Sequence, residues 1–192
     1  VKNLLRYAMC LAMLLQLLSL QAQVFTAQNI PDSIWTRMQG RSYPQECGIA
    51  RSELRYLELS HYDFNGEEHI GQMVCNRQIA DDLLYIFRKL YEAEYPIARM
   101  RLIDDYDASD QRSMADNNTS CFCYRRIAGS ETLSTHSRGM AVDVNPLYNP
   151  CLYVRSGRVL PPEGKPYAHN RGKRKDIPGM IDASDLCYRL FL

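Results

Sequence analysis

The chain has 192 residues, which is enough for one domain with a substantial hydrophobic core. Apolar residues make up 46% of it and charged residues 23%, as is ordinary for globular domains. The formal net charge of +1 supplies no field that would draw nucleic acid or an anionic membrane surface. The basic run RGKRKD, residues 171–176, lies between glycine- and proline-rich flanks and is interpreted as a solvated loop.

The first residues have the pattern of a secretory signal peptide. Lys2 and Arg6 precede a short apolar run, and a small residue, Ala22, follows it. The apolar run is shorter than the ~20 residues of a comfortable membrane span, so an uncleaved anchor is the alternative. We therefore expect a signal peptide over residues 1–23. The mature protein is expected to be periplasmic or secreted, monomeric and without stable membrane association.

Residues 24–50 show little periodicity and are interpreted as a lead-in segment. Beyond them, RYLELSHYDF and HIGQMVCN flank NGEE, whose Asn-Gly pair predicts the turn of a β-hairpin. In the run RQIADDLLYIFRKLYEAEY, apolar residues recur with helical spacing and define one apolar face. This pattern predicts a helix that Asn76 caps at its start and that ends at Tyr95, before Pro96.

Three further runs, IARMRLIDDY, CFCYRRIAGS and GMAVDVNP, are predicted to be strands. A long loop rich in proline and glycine then leads to DASDLCYRLFL, which predicts a helix capped by Asp182 or Ser184. No repeat or linker divides the chain. The sequence therefore predicts an α+β fold, a single compact domain over residues 51–192 with a mainly antiparallel sheet and flanking helices.

Seven cysteines are present, and Cys10 lies in the signal segment, which leaves six. An even number in an exported chain permits disulfides, but the sequence does not choose among the possible pairings. A cysteine-rich zinc site is an alternative, although the chain has no CxxC pair. The six residues are Cys47, Cys75, Cys121, Cys123, Cys151 and Cys187.

The run LSTHSRGMAVDVNP, residues 133–146, contains the most specific candidate for chemistry. In the strand predicted there, Asp143 shares a face with the small Ala141, which leaves space in front of the carboxylate. The preceding segment can bring His136 to the same point. An imidazole and a carboxylate that converge on a cleft are two of the three protein ligands of a catalytic zinc, whose bound water becomes a nucleophile near neutral pH.

Three other interpretations of this run remain open. His136 and Asp143 can form a hydrogen-bonded structural pair, and Asn145-Pro146 can end a strand. Serine-type catalysis would use Ser134 or Ser137 beside the histidine, but the chain has no GxSxG pattern.

The residues STHSRGMAVDVNP resemble the Ser-x-His-x-x-Gly-x-Ala-x-Asp signature of the D-alanyl-D-alanine carboxypeptidase and L-alanyl-D-glutamate endopeptidase family of zinc peptidases. Within that family they resemble the VanY-like branch in which Asn-Pro follows the aspartate. The resemblance extends over roughly residues 50–190. It implies a hedgehog/DD-peptidase-like fold, Zn²⁺ as the cofactor and peptidoglycan stem peptides as the substrate of a carboxypeptidase or endopeptidase.

By this resemblance, His136 and Asp143 match the first two zinc ligands. Arg125 matches an arginine that contacts the substrate and can stabilise the oxyanion formed during amide hydrolysis. The adjacent Arg126 would face the other side of a strand. Ser134 is expected to support the local turn and to contact the substrate. The chain has Cys-Tyr before Arg125, where the family has Asn-Cys.

The family continues past its terminal helix to an acidic general base and a histidine that is the third zinc ligand. The sequence ends at Leu192, so we expect a domain that lacks its C-terminal end, with both residues beyond that point. His169 is the alternative third ligand. The resulting hypothesis is an exported zinc peptidase. The alternatives are a catalytically incomplete wall-peptide binding module or inactive fragment, and a structural exported domain held by disulfides.

Overall fold

The computed structural model describes residues 22–127, 129–169, 171 and 176–192. The expected signal peptide therefore lies almost entirely outside the described residues, as do residues 172–175 of the basic run. Within the described ranges, no helix has the length and apolar character needed to cross a bilayer.

A three-stranded antiparallel sheet, in the order β1-β2-β3, carries the fold. Its strands are β1 (Phe25–Gln28), β2 (Leu54–Tyr62) and β3 (Glu68–Asn76). A second antiparallel sheet pairs β4 (Cys151–Tyr153) with β5 (Arg158–Leu160).

The described α-helices are α1 (Asp32–Met38), α2 (Ala80–Glu92), α3 (Asp110–Ala115) and α4 (Leu186–Leu190). Short 3₁₀ helices cover Arg51–Glu53, Ile103–Tyr106, Thr135–Arg138 and Pro162–Tyr167. Antiparallel sheets combined with helices confirm the predicted α+β class.

The predicted hairpin is confirmed. Strands β2 and β3 pair along their whole lengths, and Tyr62 lies opposite Glu68 at the turn. Asp63 closes the turn, because its Oδ1 accepts hydrogen bonds from the backbone N–H groups of Asn65 and Glu67 at 2.8 and 3.0 Å. The Asn-Gly signal therefore marks the turn correctly.

The predicted amphipathic helix is confirmed as α2, but both of its predicted ends are wrong. Asn76 does not cap it, because its Oδ1 accepts from the N–H of Gln78 in a turn that precedes the helix, and Ile79 occupies the N-cap position. The helix ends at Glu92 and not at Tyr95, and Glu94 just beyond it adopts a left-handed φ of 50°. The apolar face of α2, with Leu83, Phe87 and Leu90, packs on the sheet. Together with Leu57, Leu59, Met73 and Ile97 it forms the main core.

The prediction of strands over residues 97–106, 121–130 and 139–146 is wrong, because none of these runs forms a regular strand among the described residues. These runs contain isolated β-bridges instead, and part of the first forms a 3₁₀ helix. Side-chain amides replace the regular backbone ladder there. Asn118 is fully buried, and its amide accepts from the N–H of Arg101 at 2.8 Å and donates to the same residue's carbonyl at 3.0 Å.

Asn145 has the same function further along the chain. Its Oδ1 accepts from the N–H of Ala98 and its Nδ2 donates to the carbonyl of Pro96, both at 2.9 Å. Its own N–H donates to Thr119 Oγ1. Asn145 is fully buried and adopts a left-handed φ of 46°, which interrupts the strand predicted through this run.

The two ends of the described chain also contribute to the core. Residues 24–50, interpreted as a lead-in segment, supply β1 at the edge of the sheet and α1, and Met38 belongs to a second hydrophobic cluster. At the other end, the N-cap of α4 is Asp185, which accepts from the N–H of Cys187 at 2.7 Å. The predicted caps of this helix, Asp182 and Ser184, are therefore wrong.

All six cysteines among the described residues are free thiols. Five of them are buried, and only Cys151 is exposed. Burial raises the pKa of the Cys75 and Cys123 thiols to about 12, which keeps these side chains uncharged. The disulfide framework that the cysteine count permits is not formed among these six residues.

Candidate active site

His136 lies in the 3₁₀ helix Thr135–Arg138, which Ser134 caps by accepting from the N–H of His136 at 3.3 Å. The imidazole Nδ1 lies 2.7 Å from the carbonyl oxygen of Cys121. A carbonyl oxygen only accepts hydrogen bonds, so Nδ1 carries the proton and donates it. In its neutral form the ring would therefore carry its lone pair on Nε2, the arrangement of histidines that bind metals through that atom.

The carboxylate of Asp143 lies in front of this lone pair, with Oδ2 at 3.4 Å from Nε2 of His136. Two backbone hydrogen bonds with Ser120, at 2.9 and 3.1 Å, hold the Asp143 main chain. The imidazole is mostly shielded, at 12% exposed, whereas the carboxylate is 30% exposed. The pair is thus fixed from behind and accessible at its carboxylate.

The spacing of the two atoms fits a shared zinc ion. Ligand atoms that bind tetrahedral zinc at 2.0–2.2 Å lie roughly 3.3–3.5 Å apart. The observed 3.4 Å falls in that range, and a neutral imidazole nitrogen with a carboxylate oxygen is a ligand set that zinc accepts. The His136 and Asp143 side chains therefore fit the group that the resemblance implies.

No third ligand joins this pair within the part of the chain that the structure describes. Among the described residues, the one group of three potential ligands whose atoms lie within 4.8 Å of one another is Asp63, Glu67 and His69. That group lies at the hairpin turn, whereas the His136 segment contacts the opposite end of β3. His169, the alternative third ligand, belongs to neither group.

Gly139 anchors the site segment to the sheet. Its carbonyl accepts from the N–H of Asn76, the last residue of β3, at 2.9 Å and from the Cys121 thiol at 3.3 Å. Gly139 has a left-handed φ of 65°, and a Cβ there would lie 2.6 Å from the Asn76 nitrogen. Glycine is therefore required both for the backbone conformation and for the close approach to β3.

Arg125 is held at the same site by its backbone and by its side chain. Ser137 Oγ accepts from its N–H at 2.9 Å and donates to its carbonyl at 2.7 Å. The guanidinium Nη2 lies 3.0 Å from Asp110 Oδ2. Arg126 instead pairs with the exposed Glu131 at 2.9 Å. The expectation that the two arginines face different ways is thus met.

Asp110 is a site residue that the sequence analysis missed. Burial raises the pKa of its carboxyl group, the nearby Arg125 and His136 lower it, and Asp143 raises it. One carboxylate therefore interacts with Arg125, His136 and Asp143, three of the four predicted site residues. The available signal was the N-cap of α3, where Ser109 Oγ accepts from the N–H of Arg112 at 3.3 Å.

The serine hydroxyls near His136 are engaged with the backbone. Ser134 is buried and caps the 3₁₀ helix, and Ser137 bonds both polar backbone groups of Arg125. The imidazole nitrogens meet the Cys121 carbonyl and the Asp143 carboxylate instead. This arrangement disfavours serine-type catalysis, and a contact between Ser134 and substrate stays a prediction.

Asp143 also lines a cavity of about 410 Å³ whose other walls are mostly apolar. One wall is Arg171, the first residue of the basic run. Its guanidinium donates to the carbonyls of Tyr148 and Ile181 at 3.0 and 2.8 Å. The interpretation of the run as a solvated loop is therefore wrong for Arg171, which supports the wall of this cavity.

The model of the D-alanyl-D-alanine carboxypeptidase family matches residues 128–191, a range that includes His136 and Asp143. No curated protein and no solved structure matches the chain. The family match confirms the resemblance carried by the signature and supports a peptidase that acts on peptidoglycan peptides of the D-alanyl-D-alanine type. Residues 128–191 are thus similar to the D-alanyl-D-alanine carboxypeptidase family.

Proposed function

We propose that the protein is an exported zinc peptidase that hydrolyses the stem peptides of peptidoglycan. The observation that carries the proposal is the 3.4 Å separation between Nε2 of His136 and Oδ2 of Asp143, with the imidazole oriented by a backbone carbonyl. These two side chains would hold the metal. When bound, zinc supplies a Lewis acid and lowers the pKa of a water ligand toward neutrality.

The other side chains of the site act on the peptide. Arg125 presents a planar, permanently charged guanidinium, which suits a peptide carbonyl or a terminal carboxylate. As the carbonyl oxygen gains negative charge during hydrolysis, a fixed cation beside it stabilises that charge. The two hydrogen bonds between Ser137 and the backbone of Arg125 fix the base of this side chain, which reduces the reorganisation that the reaction requires.

A wall-peptide binding module is the second candidate function. It is favoured by the ligand count, because the described residues around His136 and Asp143 supply two ligand atoms rather than the three of a catalytic zinc site. Such a module would use Arg125 to bind the peptide carboxylate. It would retain stem peptides without cutting them.

Export belongs to the same proposal, because the substrate lies in the cell wall. It is supported by the basic residues and the apolar run within residues 1–23. The intact mass of protein recovered from the periplasm or the medium tests it. An N-terminus close to Gln23 is expected, and a retained N-terminal segment in that material would indicate an anchor instead.

Replacement of His136 by alanine tests the metal site. We expect His136→Ala to lose bound zinc and peptide hydrolysis while its far-UV circular dichroism stays unchanged. The comparison variant is His69→Ala, which removes a histidine from the group of potential ligands at the hairpin turn. It should keep both properties, and loss of zinc in His69→Ala but not in His136→Ala would place the metal at the turn instead. Zinc is measured by metal analysis and hydrolysis by D-alanine release from muropeptides. Unchanged zinc and activity in His136→Ala would overturn the proposal, and peptide retention without turnover in the unsubstituted chain would identify the binding module.

A further inference from the structure

The ion pair between Arg125 and Asp110 differs from the other arginine pairs around it. Its two side chains are only 26% and 19% exposed, and their charged atoms lie 3.0 Å apart. The neighbouring pair of Arg126 with Glu131 is largely open to solvent. In addition, the buried Nε of Arg125 has no hydrogen-bond partner among the described residues. A shielded ion pair with an unmet donor is a poor source of stability, which points to another role.

We propose that Asp110 is a positioning residue for Arg125, which it holds at the site so that the guanidinium meets the peptide and not the metal ligand. The inference rests on the proposed function and deepens it. It identifies the residue on which the peptide-binding cation depends. Asp110 itself is not assigned a contact with the substrate.

The need for such a residue follows from the charges at the site. An arginine side chain has several rotatable bonds and pairs strongly with any carboxylate within its reach. The Asp143 carboxylate belongs to the same cluster of charges as Arg125 and Asp110. A guanidinium that paired with Asp143 would occupy an oxygen that the metal requires. The carboxylate of Asp110 competes for Arg125 and leaves the Asp143 oxygen free.

Both partners are attached to rigid backbone. Asp110 is the first residue of α3, whose start is fixed by the Ser109 cap. The main chain of Arg125 is clamped by both hydrogen bonds with Ser137. The side chains therefore extend from two fixed points, which is what a preorganised binding group requires.

A double-mutant cycle tests the inference in the full chain. We expect Asp110→Asn, which removes the charge and keeps the shape, to lower kcat/KM roughly 10- to 100-fold with bound zinc unchanged, as for other residues that orient a functional group. Asp110→Glu should recover part of the loss. The loss should be non-additive, since Asp110→Asn in an Arg125→Ala background should cost nothing further. The control is Glu131→Gln, which removes the partner of Arg126 and should leave kcat/KM unchanged.

A second measurement separates this inference from the proposed function. The NMR signal of the Arg125 Nε–H reports how fast that proton exchanges with solvent. The exchange should accelerate about tenfold or more in Asp110→Asn and not in Glu131→Gln. Full activity in Asp110→Asn, or additive losses in the cycle, would overturn the inference. If the unsubstituted chain hydrolyses no peptide, the proposed function fails, and the role of Asp110 is then judged from the exchange rates of the Arg125 Nε–H alone. An exchange rate that is unchanged in Asp110→Asn would overturn the inference.

Discussion

Nε2 of His136 lies 3.4 Å from Oδ2 of Asp143, although neither residue belongs to a regular strand. His136 lies in a single 3₁₀ turn, and Asp143 is held by one isolated bridge to Ser120. The turn and the bridge are joined by Gly139, which is bonded to the end of β3. The geometry of the proposed metal site therefore depends on these local anchors.

The charge of Asp143 is expected to matter for metal binding more than for folding. Asp143→Asn keeps the shape of the side chain but removes a negative charge that lies close to Asp110. We expect zinc affinity to fall at least about tenfold and the melting temperature of the metal-free protein to stay equal or rise. Competition with a chelator measures the affinity. Equal zinc affinity in the two proteins would exclude Asp143 as a ligand.

Gly139→Ala should destabilise the protein more than a substitution at another left-handed glycine. Gly40 has a similar φ of 73°, but a Cβ there meets nothing within 4 Å. Gly40→Ala should therefore cost only the conformational term, roughly 1–2 kcal/mol. A Cβ at Gly139 would collide with the backbone of Asn76, which should add at least about 1 kcal/mol. Urea denaturation measures both, and equal losses would contradict the close contact.

Asn145→Ala should lower the free energy of unfolding by roughly 2–4 kcal/mol. The substitution leaves the partly buried N–H of Ala98 and carbonyl of Pro96 without their partners. The control is Asn65→Ala in the exposed hairpin turn, which should change stability by only about 0.5 kcal/mol. A loss at Asn145 as small as the control would show that these bonds contribute little.

His61 should make stability depend on pH in the mildly acidic range. Burial lowers its pKa from 6.5 to about 4, so the unfolded chain takes up a proton first as the pH falls. The folded state should therefore lose about 3 kcal/mol relative to the unfolded state between pH 6.5 and 4, and no more below that. The difference in denaturation profiles between the unsubstituted chain and His61→Gln isolates this effect. Parallel profiles would show that His61 titrates normally.

Cys151 should be the fast-reacting thiol of the six described cysteines, because the other five are buried. In a Cys10→Ser chain, a thiol reagent should modify one cysteine rapidly under native conditions and all six in denaturant. The released chromophore counts them. Fewer than six reactive thiols in denaturant would reveal a disulfide.

Elements with strong local signals could be predicted from the sequence. The Asn-Gly turn and the apolar face of α2 act within one hairpin or one helix, and both are confirmed. The motif likewise identified His136 and Asp143 as neighbours, although the strand through residues 139–146 was wrong. The alternation of apolar and polar residues in this run has the period of a strand, but the Asn145 side chain bonds the neighbouring backbone in place of a strand partner. Nothing in the local sequence distinguishes a regular strand from a backbone bonded in this way.

Long-range partners could not be predicted in the same way. Asp110 meets Arg125 only because α3 and the residues before the 3₁₀ turn are brought together by the fold. The polar run DASDQRSMADNNTS contains several aspartates, and their local sequence gives each of them the same chance of pairing with Arg125. Charge alone therefore does not indicate which carboxylate becomes shielded and paired.

The carbonyl that orients His136 belongs to the main chain of Cys121, and the groups that hold Asp143 belong to the main chain of Ser120. Exchange of the Ser120 side chain leaves these oxygen and nitrogen atoms bonded, and exchange of the Cys121 side chain removes only the bond from its thiol to the Gly139 carbonyl. The geometry of the His136–Asp143 pair therefore does not depend directly on which side chains stand at positions 120 and 121. Substitutions directly behind the pair should therefore leave its backbone contacts intact, whereas any side chain at Gly139 would be strained.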